Sequence, residues 1–258
     1  MYMYNDKGRV EDMIATRQVP GGCYILQGQK GLGKCFAACR IADAVLKKDA
    51  FSHPDFFMLE PDENIIGMEQ IGSVRDFVSY VPVDAERKVI VINDADKMTI
   101  SAQNAILKIL EECTGSNLFL LVAHDNLLST IRSRAITIPF SPLSNDEMRE
   151  LYPDADECLL ALAAGRPGIY KMYEKDTGYV KDCKSIFACL SRMNSKRELL
   201  EVFHQVKEKD KENFYEKYDQ NRIITLLEAL RTAFLSTLTR HDICFCNLVH
   251  SSVIYSIV

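Results

Sequence analysis

The chain of 258 residues lacks several features that define other classes of protein. No segment approaches the roughly 20 consecutive apolar residues that a transmembrane helix requires. The first residues, "MYMYNDKGRVEDM", are too polar for a secretory signal. The chain also contains no internal repeat and no low-complexity segment. Together these absences predict a cytoplasmic protein.

The cysteines lack the pattern of a disulfide framework or of a metal site. There are nine, an odd number, and they are scattered without a single C-x-x-C pair. This spacing predicts a reducing compartment and gives little support to a structural zinc site. Cys35 and Cys39 fall on one face of a predicted helix, and Cys244 and Cys246 alternate. We expect these four to be buried apolar thiols.

The composition has no excess of positive charge. The net charge is −5, with 47% apolar and 26% charged residues, which is typical of a globular protein. This balance argues against a protein whose whole surface binds nucleic acid, although a local basic face stays compatible with it.

The predicted elements change in type once, near residue 142. Before that point, short apolar runs of strand length alternate with segments whose apolar residues recur at helical spacing. Such alternation predicts a mostly parallel sheet with helices on both faces. The predicted strands are residues 23–26, 56–59, 88–92, 118–123 and 135–140, and the predicted helices are residues 34–46, 68–81 and 101–113.

After residue 142 the pattern is helical. Ser144 with Glu147 three positions later is a capping-box pattern, which predicts the start of a helix. The stretch "GRPG" at 165–168 separates two short helices, and from about residue 178 apolar stripes recur at helical spacing. A helical bundle that buries its own core accounts for these stripes without a cofactor.

Residues 28–34 form a glycine-rich motif of the type that holds nucleotide phosphates. In this G-x-x-x-x-G-K pattern, Gly28, Gly33 and Lys34 follow an apolar strand and precede an amphipathic helix. The backbone N–H groups of such a turn point at phosphate, and the helix N-terminus adds its positive end. The motif and its context therefore predict a nucleotide-binding ancestry, with Lys34 reaching the β and γ phosphates.

The positions that would serve Mg²⁺ carry unusual residues. Cys35 stands where the motif requires Ser or Thr, and a thiol is a poor ligand for this hard ion. After the strand at 88–92, Asn93 and Asp94 stand where a metal-associated Asp and a water-activating Glu are expected. Considered alone, both are also compatible with ordinary polar residues at a strand end. Together with the loop they indicate an eroded hydrolytic site.

Three segments resemble the clamp-loader AAA+ proteins, and most closely the delta prime branch of bacterial DNA polymerase III. They are "HPDFFMLEPD" (53–62), "KVIVINDADKMTISAQNAILKILEE" (88–112) and "LLSTIRSRA" (127–135). The resemblance implies an α/β AAA+ P-loop core with a five-stranded parallel sheet, followed by a small helical lid domain and an all-α collar domain. We expect these three domains at residues 1–142, 143–177 and 178–258.

The resemblance also implies roles for single residues. Ser133 and Arg134 match a Ser-Arg-Cys motif whose third position is Ala135 here. In the family this arginine reaches across a subunit boundary to the γ-phosphate bound by a neighbour, a role suited to its permanently charged planar fork. Considered alone, Arg134 is also compatible with a solvated loop arginine. The phosphate-binding positions are Gly28, Gly31, Gly33, Lys34 and Cys35, and the Mg²⁺ and water-activating positions are Asn93 and Asp94.

Two further departures from the family concern hydrolysis and zinc. ATP-hydrolysing members carry a second sensor arginine three residues after a glycine, whereas here Gly165 is followed at that distance by Gly168, with Arg166 out of register. Many relatives have a four-cysteine zinc module before the "HPD" segment, but "AVLKKDAFSHPD" contains no cysteine. We therefore expect no zinc, and a structural role in a turn for His53.

The positions that depart from the family pattern, Cys35, Asn93, Asp94 and Gly168, are those that serve hydrolysis, whereas Arg134 matches the family pattern. We therefore expect a non-motor, delta prime-like subunit of the clamp loader, with little or no ATPase activity of its own and at most weak binding of ATP or ADP. The implied partners are gamma/tau-like motor subunits, a clamp-opening delta-like subunit, the sliding clamp and, through the complex, primed DNA.

Three alternatives stay open. The first is an active clamp-loader ATPase in which Cys35 and Asp94 suffice for hydrolysis. The second is an AAA+ adaptor unconnected to replication. The third is a merely structural nucleotide-binding module, which is disfavoured because the "TIRSR" motif would then have no function.

Overall fold

The computed structural model describes residues 7–17, 19–113, 117–125, 127–156, 159–160 and 163–175. The chain divides into two compact units, Met1–Leu143 and Ser144–Val258. Among the described helices, none is both long enough and apolar enough to cross a membrane.

The first unit is built on five strands. They are β1 (Gly22–Gln27), β2 (Phe56–Leu59), β3 (Lys88–Ile92), β4 (Asn117–Ala123) and β5 (Ala135–Pro139). Their order in the sheet is β2-β3-β4-β1-β5, and every neighbouring pair is parallel. The predicted five-stranded parallel sheet is thus confirmed, and each strand begins and ends within one residue of its predicted bounds.

Five helices belong to this unit, one before β1 and four between successive strands. They are α1 (Lys7–Thr16), α2 (Lys34–Leu46), α3 (Met68–Ser79), α4 (Ile100–Cys113) and the short α5 (Ser129–Arg132). Helix α2 has the predicted bounds, whereas α3 ends two residues earlier than predicted and α4 begins one residue earlier. The α3 prediction was too long because the backbone of Tyr80 is extended and ends the helix.

Both faces of the sheet are buried, as the alternation of strands and helices predicts. Successive side chains of a strand point to opposite faces, so Val89 and Val91 of β3 lie in one apolar core with residues of α1 and α2. Ile90 and Ile92 lie in a second core with residues of α3 and α4. Strands covered on both sides are continuous apolar runs, and all five residues of β3 are buried.

The second unit begins with α6 (Asn145–Leu151) and contains α7 (Pro167–Lys175). The predicted capping box is present, since the Glu147 N–H donates to Ser144 Oγ at 3.3 Å and Glu147 Oε2 accepts from the Ser144 N–H at 2.8 Å. The rings of Tyr152 and Tyr170 stack with centroids 4.1 Å apart. The predicted collar domain at 178–258, with Cys244 and Cys246, lies outside the described residues.

Candidate functional site

The phosphate loop lies at the carboxyl edge of the sheet. Strands β1 and β4 are in register, with Gln27 opposite Ala123, and the Gly28 N–H donates to the Ala123 carbonyl oxygen at 3.2 Å. Because β1, β3 and β4 are parallel neighbours, the residues that follow them meet at this edge. The loop, the Asn93–Asp94 pair and His124 are therefore brought together.

Gly28 has a packing reason to be glycine. A Cβ atom at this position would lie 2.2 Å from the carbonyl oxygen of Phe140. Because this oxygen belongs to the backbone, the clash could be removed only by moving the backbone. Gly33 has φ 83° and forms the N-terminal boundary of α2, a left-handed conformation that glycine adopts without strain. The loop's glycines thus serve the fold of this edge independently of any ligand.

The ammonium group of Lys34 is fully partnered by the chain itself. Only 3% of the residue is exposed, and its Nζ donates to the carbonyl oxygens of Gly28 and Gln29, both at 2.6 Å. A third contact joins Nζ to Nδ1 of His124 at 3.0 Å. An ammonium has three N–H donors, so each has an acceptor. Burial lowers the pKa of Lys34 to about 8, against the opposing charges of Asp94 and Asp96.

His124 joins Lys34 to Asp94. Since Nδ1 accepts from Lys34, the ring proton is assigned to Nε2, which donates to Asp94 Oδ1 at 2.7 Å. The other oxygen of Asp94 contacts Lys97 Nζ at 2.9 Å. The hydrogen bond from His124, then the contact with Lys97, holds the pKa of Asp94 well below its usual range against the effect of burial. Asp96 Oδ1 fixes this histidine by accepting its backbone N–H at 2.7 Å.

The other two predicted metal-site residues also have partners within the chain. The Asn93 N–H donates to the Leu59 carbonyl oxygen at 2.9 Å, and its side-chain Nδ2 lies 3.4 Å from Glu60 Oε1. Cys35 forms a side-chain hydrogen bond with Cys39, which together with burial raises the pKa of the Cys35 thiol. The prediction that both thiols are buried is wrong, since Cys35 and Cys39 are half-buried, whereas Cys23 is buried.

These donors do not fit a Mg²⁺–nucleotide complex. Mg²⁺ requires oxygen ligands, but Cys35 offers a protonated thiol and both oxygens of Asp94 are engaged by His124 and Lys97. Lys34 has no N–H left for phosphate. Within the described ranges, no three His, Cys, Asp or Glu residues are grouped as metal ligands. The geometry at this edge is that of a self-contained hydrogen-bond network.

Arg134 lies at the opposite, amino edge of the sheet. It directly precedes β5, whose first residue, Ala135, is in register with Cys23 near the start of β1. Its Nη2 is 2.8 Å from Glu111 Oε1, with 41% of the arginine side chain and 47% of the glutamate side chain exposed. Its Nη1 donates to the Thr130 carbonyl oxygen at 3.2 Å. Arg134 and Glu111 also line a pocket of about 550 Å³.

Ser133 helps to orient this arginine. Its hydroxyl donates to the Thr130 carbonyl oxygen at 2.9 Å and lies 3.4 Å from Arg134 Nη1. The α5 segment is in turn tied to α4 by Gln103, which accepts the Leu128 N–H at 3.0 Å and donates to the Met98 carbonyl oxygen at 3.1 Å. Sequence reasoning missed Gln103 and Glu111, because their partners in or beside α5, Leu128 and Arg134, are distant along the chain.

The remaining predicted positions have structural surroundings. His53 is buried and its Nδ1 accepts the Asp55 N–H at 3.1 Å, which agrees with a role in a turn. Gly168 lies in the first turn of α7. Arg166 is buried, and its Nε donates to the Ala163 carbonyl oxygen at 3.2 Å.

Comparison with known proteins identifies relatives. Residues 9–144 match the family model described as DNA polymerase III, delta subunit. The chain is 34% identical over 174 residues to DNA polymerase III subunit delta' of Pseudomonas aeruginosa, covering 56% of this chain and 53% of that protein. It is 31% identical over 138 residues to the Bacillus subtilis subunit of the same name, covering 46% and 42%. The chain thus spans about half the length of these curated relatives.

A solved structure supports the fold. A DNA polymerase III gamma subunit-related protein from Thermotoga maritima superposes with a TM-score of 0.55 at 23% identity, covering 94% of this chain and 91% of that one. At this level of identity the likeness concerns the fold alone.

Proposed function

The chain belongs to the DNA polymerase III delta-subunit family, with delta' subunits of several bacteria among its relatives, and from this premise we propose that it is a non-motor clamp-loader subunit in DNA replication. It supplies Arg134 to a nucleotide site on a neighbouring subunit and has little or no ATPase activity of its own. In this proposal residues 143–177 are the lid, residues 178–258 the collar, and the protein acts in the cytoplasm.

The observation that carries the proposal is the position of Arg134 relative to the phosphate loop. The loop follows β1, whereas Arg134 precedes β5, a parallel neighbour of β1. Five residues of strand separate the two edges by about 16 Å at ~3.3 Å per residue. Arg134 is therefore too far away to contact a phosphate held by its own loop, which supports the proposal that it acts on a phosphate bound by another subunit.

Partial exposure of the side chain supports the same assignment. Arg134 is held by a surface ion pair and by Thr130, so its planar fork is oriented before a partner arrives. An arginine stabilises the charge that develops on a transferring phosphoryl group because it stays protonated and can donate two parallel hydrogen bonds. The proposed partners are gamma/tau-like motor subunits, a delta-like clamp-opening subunit, the sliding clamp and primed DNA.

The test combines turnover with assembly. The isolated chain should show no ATP hydrolysis approaching ~1–100 per second, the range of typical kinases. The full chain should also co-purify with motor subunits and sliding clamp from the source cells. Turnover in that range would identify an active ATPase. Capture of neither the clamp nor the motor subunit would favour an adaptor outside replication.

A second experiment concerns the collar. Removal of residues 178–258 should prevent entry into the complex, because the resemblance assigns the stable oligomer contacts to that segment. Co-elution of the truncated chain with the motor subunits at unchanged affinity would show that the collar assignment is wrong.

A further inference from the structure

We propose that His124 keeps the phosphate loop closed to nucleotide, by taking the place that a phosphate oxygen would occupy as a partner of Lys34. The inference rests on the proposed function, because it names the residue responsible for the loss of nucleotide binding in this non-motor subunit. The ligand class excluded is the polyphosphate of a nucleoside di- or triphosphate.

The first step concerns the donors of Lys34. Two of its N–H groups are turned back onto the Gly28 and Gln29 carbonyl oxygens, and the third goes to His124 Nδ1. A phosphate can bind this ammonium only by displacing one of the three acceptors. The two carbonyl oxygens belong to the loop backbone, whereas the imidazole comes from another strand. His124 is therefore the partner whose removal frees a donor and leaves the loop backbone unchanged.

The second step concerns how firmly the imidazole is held. The backbone N–H of His124 donates to Asp96 Oδ1 at 2.7 Å, and the ring Nε2 donates to Asp94 Oδ1 at 2.7 Å. Asp94 is held in turn by Lys97 at 2.9 Å. Hydrogen bonds to ionised groups are among the stronger ones in proteins. The backbone of His124 is thus fixed by Asp96 and its ring by Asp94, and the ring cannot turn away from Lys34 without breaking the contact with Asp94.

The third step separates His124 from Cys35 as the cause of the loss. The Cys35 thiol makes none of the three contacts that occupy the Lys34 ammonium. A hydroxyl at position 35 would restore one Mg²⁺ ligand, but Lys34 would stay saturated. Restoring that hydroxyl alone should therefore not restore nucleotide binding, although the motif itself points to Cys35 as the defect.

The test measures binding of ATP to the full-length chain by calorimetry, with Mg²⁺ and with EDTA in its place. The wild-type chain and Cys35→Ser should both bind weakly or not at all. His124→Ala should bind roughly tenfold to hundredfold more tightly than wild type, the range that corresponds to one charged hydrogen bond. The double variant His124→Ala with Lys34→Ala should lose that gain, because the new affinity depends on the released ammonium.

His124→Gln is the matched conservative variant. Its amide keeps one acceptor for Lys34 and one donor for Asp94, so its affinity for ATP should stay close to that of wild type. Thermal unfolding establishes that each variant is folded. If His124→Ala does not fold, His124→Asn replaces it, because the shorter amide cannot contact Lys34 and Asp94 at the same time.

Three results would overturn the inference. They are a folded His124→Ala or His124→Asn variant with no gain in affinity for ATP, an equal gain in Cys35→Ser, and a gain that persists when Lys34 is also replaced. These differ from failure of the proposed function, which would appear as ATP hydrolysis by the wild-type chain. If the wild-type chain neither binds nor hydrolyses ATP and the folded His124→Ala or His124→Asn variant does not bind it, the non-motor role stands. The proposal that His124 excludes nucleotide is then wrong.

Discussion

The two edges of the sheet differ in how their charged side chains are partnered. At the carboxyl edge Lys34 is almost wholly buried, and its three donors are used inside the chain. At the amino edge Arg134 shares a partly exposed ion pair with Glu111. A buried charge whose donors are all bonded within the chain has none left for a ligand, whereas a surface ion pair contributes little to stability and can exchange its partner. This difference is what we expect if the carboxyl edge serves the fold and the amino edge contacts another molecule.

The largest effect should come from Arg134→Ala in a reconstituted loader. Loss of an arginine that contacts the transferring phosphoryl group reduces the rate at that site by about 10³ to 10⁵, although other sites in the ring dilute the total loss. The ATPase rate with clamp and primed DNA should fall while assembly is unchanged. Arg134→Lys should rescue poorly, since an ammonium lacks the planar fork. Arg132→Ala is the control and should do less.

A second variant concerns Asp55, another buried charged side chain whose hydrogen-bond partners all lie within the chain. It tests whether such a side chain stabilises the fold. Asp55 is fully buried and accepts the N–H groups of Val83, Asp84 and Ala85 at 2.7, 2.8 and 2.8 Å. Asp55→Ala leaves these donors without an acceptor and should lower the free energy of unfolding by about 3–5 kcal/mol. Denaturant unfolding measures the change. A loss no larger than that of the half-exposed Asp84→Ala would contradict it.

The same carboxylate predicts a pH dependence. Burial works to raise the pKa of Asp55, but the backbone N–H donors outweigh it and lower the pKa. A lowered pKa in the folded state gives stability that is present above the unfolded value, about 3.9, and is lost as the pH falls through the folded one. The difference in unfolding free energy between wild type and Asp55→Asn should therefore shrink below about pH 4.

A smaller effect tests whether the phosphate loop has a structural role. Gly28→Ala brings a Cβ to 2.2 Å from the Phe140 carbonyl oxygen, and this overpacking should cost about 1–3 kcal/mol of unfolding free energy. Gly72→Ala is the matched control, because nothing lies within 4 Å of its Cβ. Because residue 72 lies inside helix α3, Gly72→Ala should raise the unfolding free energy by about 0.5–1 kcal/mol. Equal stabilities of the two variants would contradict a structural role for the loop.

The smallest effect concerns the partner of Arg134. Glu111→Gln removes the charge from an ion pair whose side chains are 41% and 47% exposed, so the unfolding free energy should change by less than about 1 kcal/mol. Glu112→Gln, at the neighbouring exposed position, is its control. A markedly larger loss for Glu111→Gln would show that the amino edge is as structural as the carboxyl edge.

The sequence predicted what depends on local pattern. The bounds of β1 to β5 follow from apolar runs, α2 from its motif and spacing, and the start of α6 from the Ser144–Glu147 pair. The loop and the Asn93–Asp94 pair were each predicted directly after a strand, and the parallel arrangement of β1, β4 and β3 brings them to one edge of the sheet. These features require only short-range periodicity and the geometry of parallel strands.

The contacts that define both edges lie far apart in the sequence. Lys34 and His124 are 90 positions apart, and His124 and Asp94 are 30 apart. Neither pair is visible in a local pattern, so the sequence predicted Lys34 as a ligand of the β and γ phosphates and did not indicate its partners within the chain. One signal for His124 was present, since a polar residue directly follows the buried strand β4 as Asn93 follows β3.

We have proposed that the phosphate loop of this chain is closed to nucleotide and that Arg134 acts on a neighbouring subunit. The most direct test compares Lys34→Met with Arg134→Ala in the same reconstituted loader, each shown to be incorporated, by ATP hydrolysis with clamp and primed DNA. We expect the loader with Lys34→Met to keep the rate of the wild-type complex and the loader with Arg134→Ala to lose most of its stimulated hydrolysis. Equal losses, or full activity with Arg134→Ala, would contradict it.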